Sequence, residues 1–158
     1  MTDTLPQPDL ILSTARGVIT DEARALGVLA DSLGDGFTQM VTAILQAPGR
    51  VIVSGMGKSG HIARKIAATL ASTGTPAHFV HPAEASHGDL GMIQSTDIVL
   101  AVSNSGEAPE LANLVAYATR FDIRLIGISG NRDSTLIAQS DIGLILPSLG
   151  EACGHGVV

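Results

Sequence analysis

The chain has 158 residues, of which 45% are hydrophobic and 15% charged, enough apolar material for one packed core and far more than a disordered segment carries. Nine Lys and Arg against fifteen Asp and Glu give a formal charge of −6, and aromatics make up only 3%; a basic surface and a base-stacking platform are both lacking, so nucleic acid is not an expected partner. A single cysteine, Cys153, allows no intrachain disulfide, the polar start Met1–Gln7 lacks a basic-then-apolar signal, and no apolar run approaches the about 20 residues of a membrane span; a reducing cytoplasm is expected and membrane insertion is not.

From Asp9 to about Asp31, Ile11, Ala15, Val18, Ala25, Leu26 and Leu29 fall near helical spacing and predict one long helix. Phe37, Met40, Val41, Ile44 and Leu45 predict a second, stopped by Pro48-Gly49. Residues 1–49 thus hold two helices that pack on the following domain, 50–158, or on partner subunits, within one domain overall. Beyond Arg50 come five short apolar runs rich in β-branched residues: Val51–Val53, Ala77–Val80, Ile98–Val102, Leu125–Ile128 and Ile142–Leu146. They do not alternate polar with apolar, so both faces are buried, which predicts a five-stranded parallel sheet covered by helices. Ile62, Ile66, Ala67 and Leu70 form one crossover helix, and Leu111, Leu114, Val115, Ala118 and Phe121 another. The expected fold is α/β, doubly wound in three layers.

Such sheets bind ligands beyond the carboxyl ends of their strands. The first strand ends in Ser54-Gly55-Met56-Gly57-Lys58-Ser59-Gly60 and enters a helix, so amides and hydroxyls meet a positive helix terminus and an anion is expected. A Walker loop fails because Ile52 stands where its first glycine belongs. The glycines fit a dinucleotide turn literally, but the second strand ends in His78-Phe79-Val80-His81 without a carboxylate for a ribose; a turn serving only close packing is the plain alternative. The third strand ends in Ser103-Asn104-Ser105-Gly106-Glu107 ahead of Pro109 and Glu110, where Ser105, Glu107 and Glu110 also have an ordinary reading as helix caps and dipole partners. Two hydroxyl-rich helix starts in one sheet make a phosphorylated small molecule the leading ligand. Between them, His81-Pro82-Ala83-Glu84-Ala85-Ser86-His87-Gly88-Asp89-Leu90-Gly91 is crowded with ionisable groups where a crossover helix belongs. His87 with Asp89 as an acid/base pair, His81 with His87 as metal ligands, and satisfied loop residues all remain open, metal ranking last for want of an HxxxH helix or a cysteine partner.

The segments 54–61, 71–76, 81–92, 103–107 and Glu151-Ala152-Cys153 together resemble the sugar isomerase (SIS) domain of the bacterial D-arabinose 5-phosphate isomerase family, in order from about Val51 to Cys153. The twelve residues from His81 to Met92 are the specific part, whereas Ser-Asn-Ser-Gly-Glu alone marks the wider sugar-phosphate superfamily. The resemblance implies interconversion of D-ribulose 5-phosphate and D-arabinose 5-phosphate through a cis-enediol, feeding 3-deoxy-D-manno-octulosonate for lipopolysaccharide or capsule. That chemistry needs acid/base groups and an oxyanion partner, and no redox cofactor.

By resemblance, Lys58, His87, Glu110 and Glu151 occupy catalytic positions. Carbon proton transfer goes to a carboxylate, Glu151 ahead of Glu110, while His87 takes ring opening or hydroxyl protonation and Lys58 offsets enediolate or phosphate charge. The phosphate falls to Ser54, Gly55, Gly57, Ser59, Ser103, Asn104 and Ser105; no metal or cofactor is expected. The resemblance also implies a homotetramer, with the first helix as a packing element. Gly154 departs from the family's usual Pro, and the Thr/Ser-rich segment, the last helix with its histidine and the two CBS domains of many members do not follow Cys153, so a C-terminally truncated chain is expected. The alternative is a non-catalytic SIS module that senses a sugar phosphate, which would have no need of His87, Glu110 and Glu151 together.

Overall fold

The computed structural model describes residues 7–152; Met1–Pro6, and Cys153 with the residues after it, lie outside the described residues. Among the described residues no helix is long and apolar enough to cross a membrane. Chain contacts divide the molecule into two units, residues up to 33 with those from 147 onward, and residues 34–146.

In the first unit, α1 (Pro8–Ser32) opens on a proline at its first position, where the missing N–H has no helical partner to lose. It follows the predicted helix closely, yet none of its residues is buried. Leu12, Ile19 and Leu26, each more than half exposed, recur every seven residues and lay an apolar stripe along it.

The second unit runs α2 (Asp35–Gln46), β1 (Val51–Gly55), α3 (Gly57–Ser72), β2 (Ala77–Phe79), α4 (Pro82–Ser86), β3 (Ile98–Val102), α5 (Ala112–Arg120), β4 (Arg124–Ser129), α6 (Thr135–Gln139) and β5 (Ile142–Ile145). All five predicted strands are present, in the order β2-β1-β3-β4-β5 and parallel throughout. The pleat splits their side chains between two cores. Val51, Val53, Ile98, Leu100 and Ile126 face Ala63 and Ala67 of α3 and Met40 and Ala43 of α2. Ile52, Val99, Ala101 and Leu125 face Ala85 of α4, Leu114, Val115 and Ala118 of α5, and Leu136 of α6. Burial on both faces is why the strands read as unbroken apolar runs.

Two connections differ from the sequence reading. The segment from β2 to β3 forms no full crossover helix but the five-residue α4 and a 3-10 turn at Asp89–Met92. Between β4 and β5 stands α6, which the periodicity missed because five residues make little more than one turn.

An ion pair pins the amino ends of the central strands. Asp97, 3% exposed, accepts from the Arg50 amide (2.8 Å) and guanidinium (2.9 Å) and from the Gln94 amide (3.0 Å), while Arg50 also donates to Met92 O (2.8 Å). Burial alone would raise the Asp97 carboxyl, but the bonds from Arg50 and Gln94 outweigh it and hold the group below its ordinary value. With that end fixed, the irregular loops open at the carboxyl end.

Candidate functional site

β1 runs through α3 to β2 on one side, and β3 through α5 to β4 on the other, so connections diverge where β1 and β3 lie side by side. Ligands of open parallel sheets settle at such a point. The register pairs Gly55 with Val102, which puts the first and third strand exits next to each other.

The first exit is shaped by glycine. A Cβ on Gly55 would stand 2.9 Å from Val102 O, and one on Gly60 2.6 Å from Gly55 O, so α3 rests directly on the strand end. Gly57, at φ +57°, turns the chain into the helix in the left-handed region that glycine favours. Close packing thus accounts for Gly55 and Gly60 and the left-handed turn for Gly57, and together they deliver the first amides of a 16-residue helix to the carboxyl end of the sheet, where they find no carbonyl within the helix. Lys58 is exposed in that first turn and Ser59 half-buried. Ser54 is different. Fully buried, its hydroxyl donates inward to Val80 O at 2.8 Å, and Val80 N donates to Val53 O at 3.0 Å. Ser54 therefore fastens β1 to the chain leaving β2 and does not face the strand exit.

The third-strand exit folds on its own hydroxyls. Ser103 Oγ accepts from Gly106 N (3.1 Å) and Ser105 Oγ from Glu107 N (3.2 Å). Among the described residues the amides of Asn104 and Ser105 have no acceptor, so they stand available at the edge beside the start of α3. These side chains close the loop rather than capping the helix that follows. Glu107 reaches elsewhere still: its carboxylate accepts from Thr135 N (2.6 Å) and Thr135 Oγ1 (2.8 Å) at the start of α6, and these bonds lower its pKa.

In the middle connection, His81 Nδ1 accepts from Ala83 N at 3.3 Å and caps α4, with Pro82 buried at the first helical position. Of the readings left open for His81, a satisfied loop residue fits that bond. His87 is exposed just past the end of α4, and no hydrogen bond joins it to Asp89 among the described residues. Asn113 Nδ2 donates to Ser86 Oγ (2.9 Å), tying α4 to α5, and α4 also packs on the 3-10 turn Pro109–Leu111 that carries half-buried Glu110. His87 and Glu110 thus sit on adjoining elements. Among the described residues no three His, Cys, Asp or Glu gather as a metal cluster would require. Glu151 belongs to the first unit, where it lines a cleft of about 330 Å³ with Asp21, Glu22 and Arg24 of α1.

Sequence reasoning gave Glu107 to its own helix and did not single out Thr135 or Ser129. Ser134, the cap of α6, was a readable signal, but the pairing of Glu107 with Thr135 joins residues 28 apart and has no local signature.

A doubly wound sheet whose switch point presents helix-start and loop amides is an architecture suited to holding an anionic ligand. The family model for the SIS domain matches residues 44–157, and the chain belongs to that family. Among curated relatives it is 51% identical over 140 residues to the arabinose 5-phosphate isomerase KdsD of Yersinia pestis, covering 89% of this chain and 43% of that protein. The KdsD of Pseudomonas aeruginosa is 48% identical over 142 residues, covering 90% of this chain and 44% of that protein. The chain thus spans less than half the length of these relatives. Among solved structures, the Escherichia coli CFT073 protein c3406 in complex with arabinose 5-phosphate superposes with a TM-score of 0.92 at 35% identity, covering 97% of this chain and 81% of that one.

Proposed function

We propose that the protein to which this chain belongs interconverts D-ribulose 5-phosphate and D-arabinose 5-phosphate, and that the chain supplies the isomerase domain. What supports this is the side-by-side exit of β1 and β3 with their helix-start and loop amides, together with the packing of α4, which His87 follows, on the 3-10 turn that carries Glu110. The names of the relatives point to the same substrate. A module that only sensed a sugar phosphate would need the amides but not the acid/base groups.

The phosphate is held by the amides of Gly57, Lys58 and Ser59 at the start of α3 and by those of Asn104 and Ser105, with the Ser59 hydroxyl beside them. A carboxylate, Glu151 or Glu110, takes the C1 proton of ribulose 5-phosphate. The electron pair forms the C1=C2 bond of a cis-enediolate, and charge gathers on O2. Lys58 offsets that charge. The carboxylic acid then returns the proton to C2, while His87 carries the O1 proton to O2, so that C1 becomes the aldehyde and C2 bears a hydroxyl. His87 moves the hydroxyl protons and opens the ring of arabinose 5-phosphate in the reverse direction. The product would supply 3-deoxy-D-manno-octulosonate synthesis in the cytoplasm.

The exposed stripe on α1 supports a homo-oligomer, a tetramer by the family's habit, in which that helix meets a second copy. The test of the activity uses the full-length protein with ribulose 5-phosphate in D₂O. Arabinose 5-phosphate carrying deuterium at C2 is expected, and Glu151→Gln abolishes it. Absence of product from the native protein would defeat the activity, and full turnover by the variant would move the base to Glu110.

A further inference from the structure

We propose that Glu107 is a positioning residue, whose carboxylate clamps the Ser103–Glu107 loop to the start of α6 and so keeps the Asn104 and Ser105 amides turned out for phosphate. The inference rests on the phosphate reading of that loop. Four bonds define the clamp. Glu107 accepts from Thr135 N (2.6 Å) and Thr135 Oγ1 (2.8 Å), Gly106 O accepts from Leu136 N (3.1 Å), and Asn104 O accepts from Gly130 N (3.0 Å). Ser129 Oγ adds a fifth donor to Asn104 O at 3.2 Å. Gly106, at φ +70°, passes so close to Ser134 that a Cβ there would run into its side chain, so the loop cannot be held farther in by bulk. The carbonyls and the carboxylate in this set bond to the end of β4 and the start of α6, whereas the amides of Asn104 and Ser105 have no acceptor among the described residues.

Electrostatics and positioning predict opposite signs. A carboxylate in a phosphate-binding loop repels the anion, so its removal alone would tighten binding. Loss of the clamp would loosen the loop and weaken it, because ordering the amides would then fall on the binding step. The experiment titrates inorganic phosphate into the 158-residue chain while recording amide NMR shifts.

Native protein is expected to show shifts at Asn104 and Ser105. Glu107→Ala should weaken binding by about fivefold or more, and Thr135→Val should weaken it in the same direction. Glu107→Gln, which keeps an acceptor for Thr135 N and offers its own N–H to Thr135 Oγ1, should bind within about twofold of native or more tightly. Native shifts with unchanged or tighter binding in both Glu107→Ala and Thr135→Val would overturn the clamp and leave the phosphate reading standing. No shifts at Asn104 or Ser105 in native protein would overturn the phosphate reading and the clamp with it. Should Glu107→Ala fail to fold, Thr135→Val and Glu107→Gln carry the same comparison.

Discussion

Lys58 is an exposed cation in the first turn of a helix whose dipole disfavours it there. In the proposed reaction its charge offsets that of the enediolate or the phosphate. Lys58→Ala in the full-length protein is expected to lower kcat/KM by about a hundredfold, the scale of one preorganised charge partner, without loss of the folded state. Unchanged kinetics with native circular dichroism would make Lys58 an ordinary surface lysine. Ser54 teaches the opposite lesson. Its place in a glycine-rich exit suggested a ligand to phosphate, but a hydroxyl inside a strand buried on both faces must find a partner within the fold, and Val80 O supplies it. Sequence lists the polar groups at a strand exit; it does not tell which of them face inward.

At the scale of elements, what sequence revealed depended on length and burial. The five strands were legible because parallel strands covered on both faces leave unbroken β-branched runs. The long helices were legible from periodicity, whereas α4 and α6, of five residues each, offered only their caps: His81 and Pro82 for one, Ser134 for the other. The glycines at the first exit were legible as a pattern but not as a cause. The cause is α3 lying on β1, with Gly60 against Gly55 O and Gly55 against Val102 O. Gly60→Ala would force a Cβ into backbone that has no flexible end to yield, so it is expected to destabilise the domain by about 1–3 kcal/mol and to displace the start of α3 from the edge. Chemical denaturation read together with inorganic phosphate binding checks both effects. A variant of native stability and affinity would show that the helix start has slack the packing does not suggest.

The strand exits with their unpaired amides lie at one end of the sheet and an electrostatic fastener at the other. Asp97 has its carboxyl held below the ordinary value, so its contribution is complete above the usual carboxylate range, near 3.8, and is lost as pH falls through the lower folded value. Glu107 shifts in the same direction and adds to that slope. Asp97→Asn is expected to cost about 2–3 kcal/mol at neutral pH and to flatten the fall in stability below about pH 4, measured by urea unfolding at a series of pH values. An equally steep fall in the variant would place the acid sensitivity elsewhere. One surface left unexplained by a single chain is α1, which buries none of its 25 residues while exposing Leu12 (53%), Ile19 (66%) and Leu26 (66%) on one stripe. Apolar residues at a seven-residue repeat match the seam by which helices pair, and burying them against a second copy would remove that surface from water. Replacing all three by Glu removes the seam without touching the sheet or its two cores. In sedimentation equilibrium the native chain is expected to exceed the mass of one copy and the variant to approach it, with unchanged β-sheet circular dichroism. A native chain already at 16.1 kDa would end the assignment of this helix to self-association.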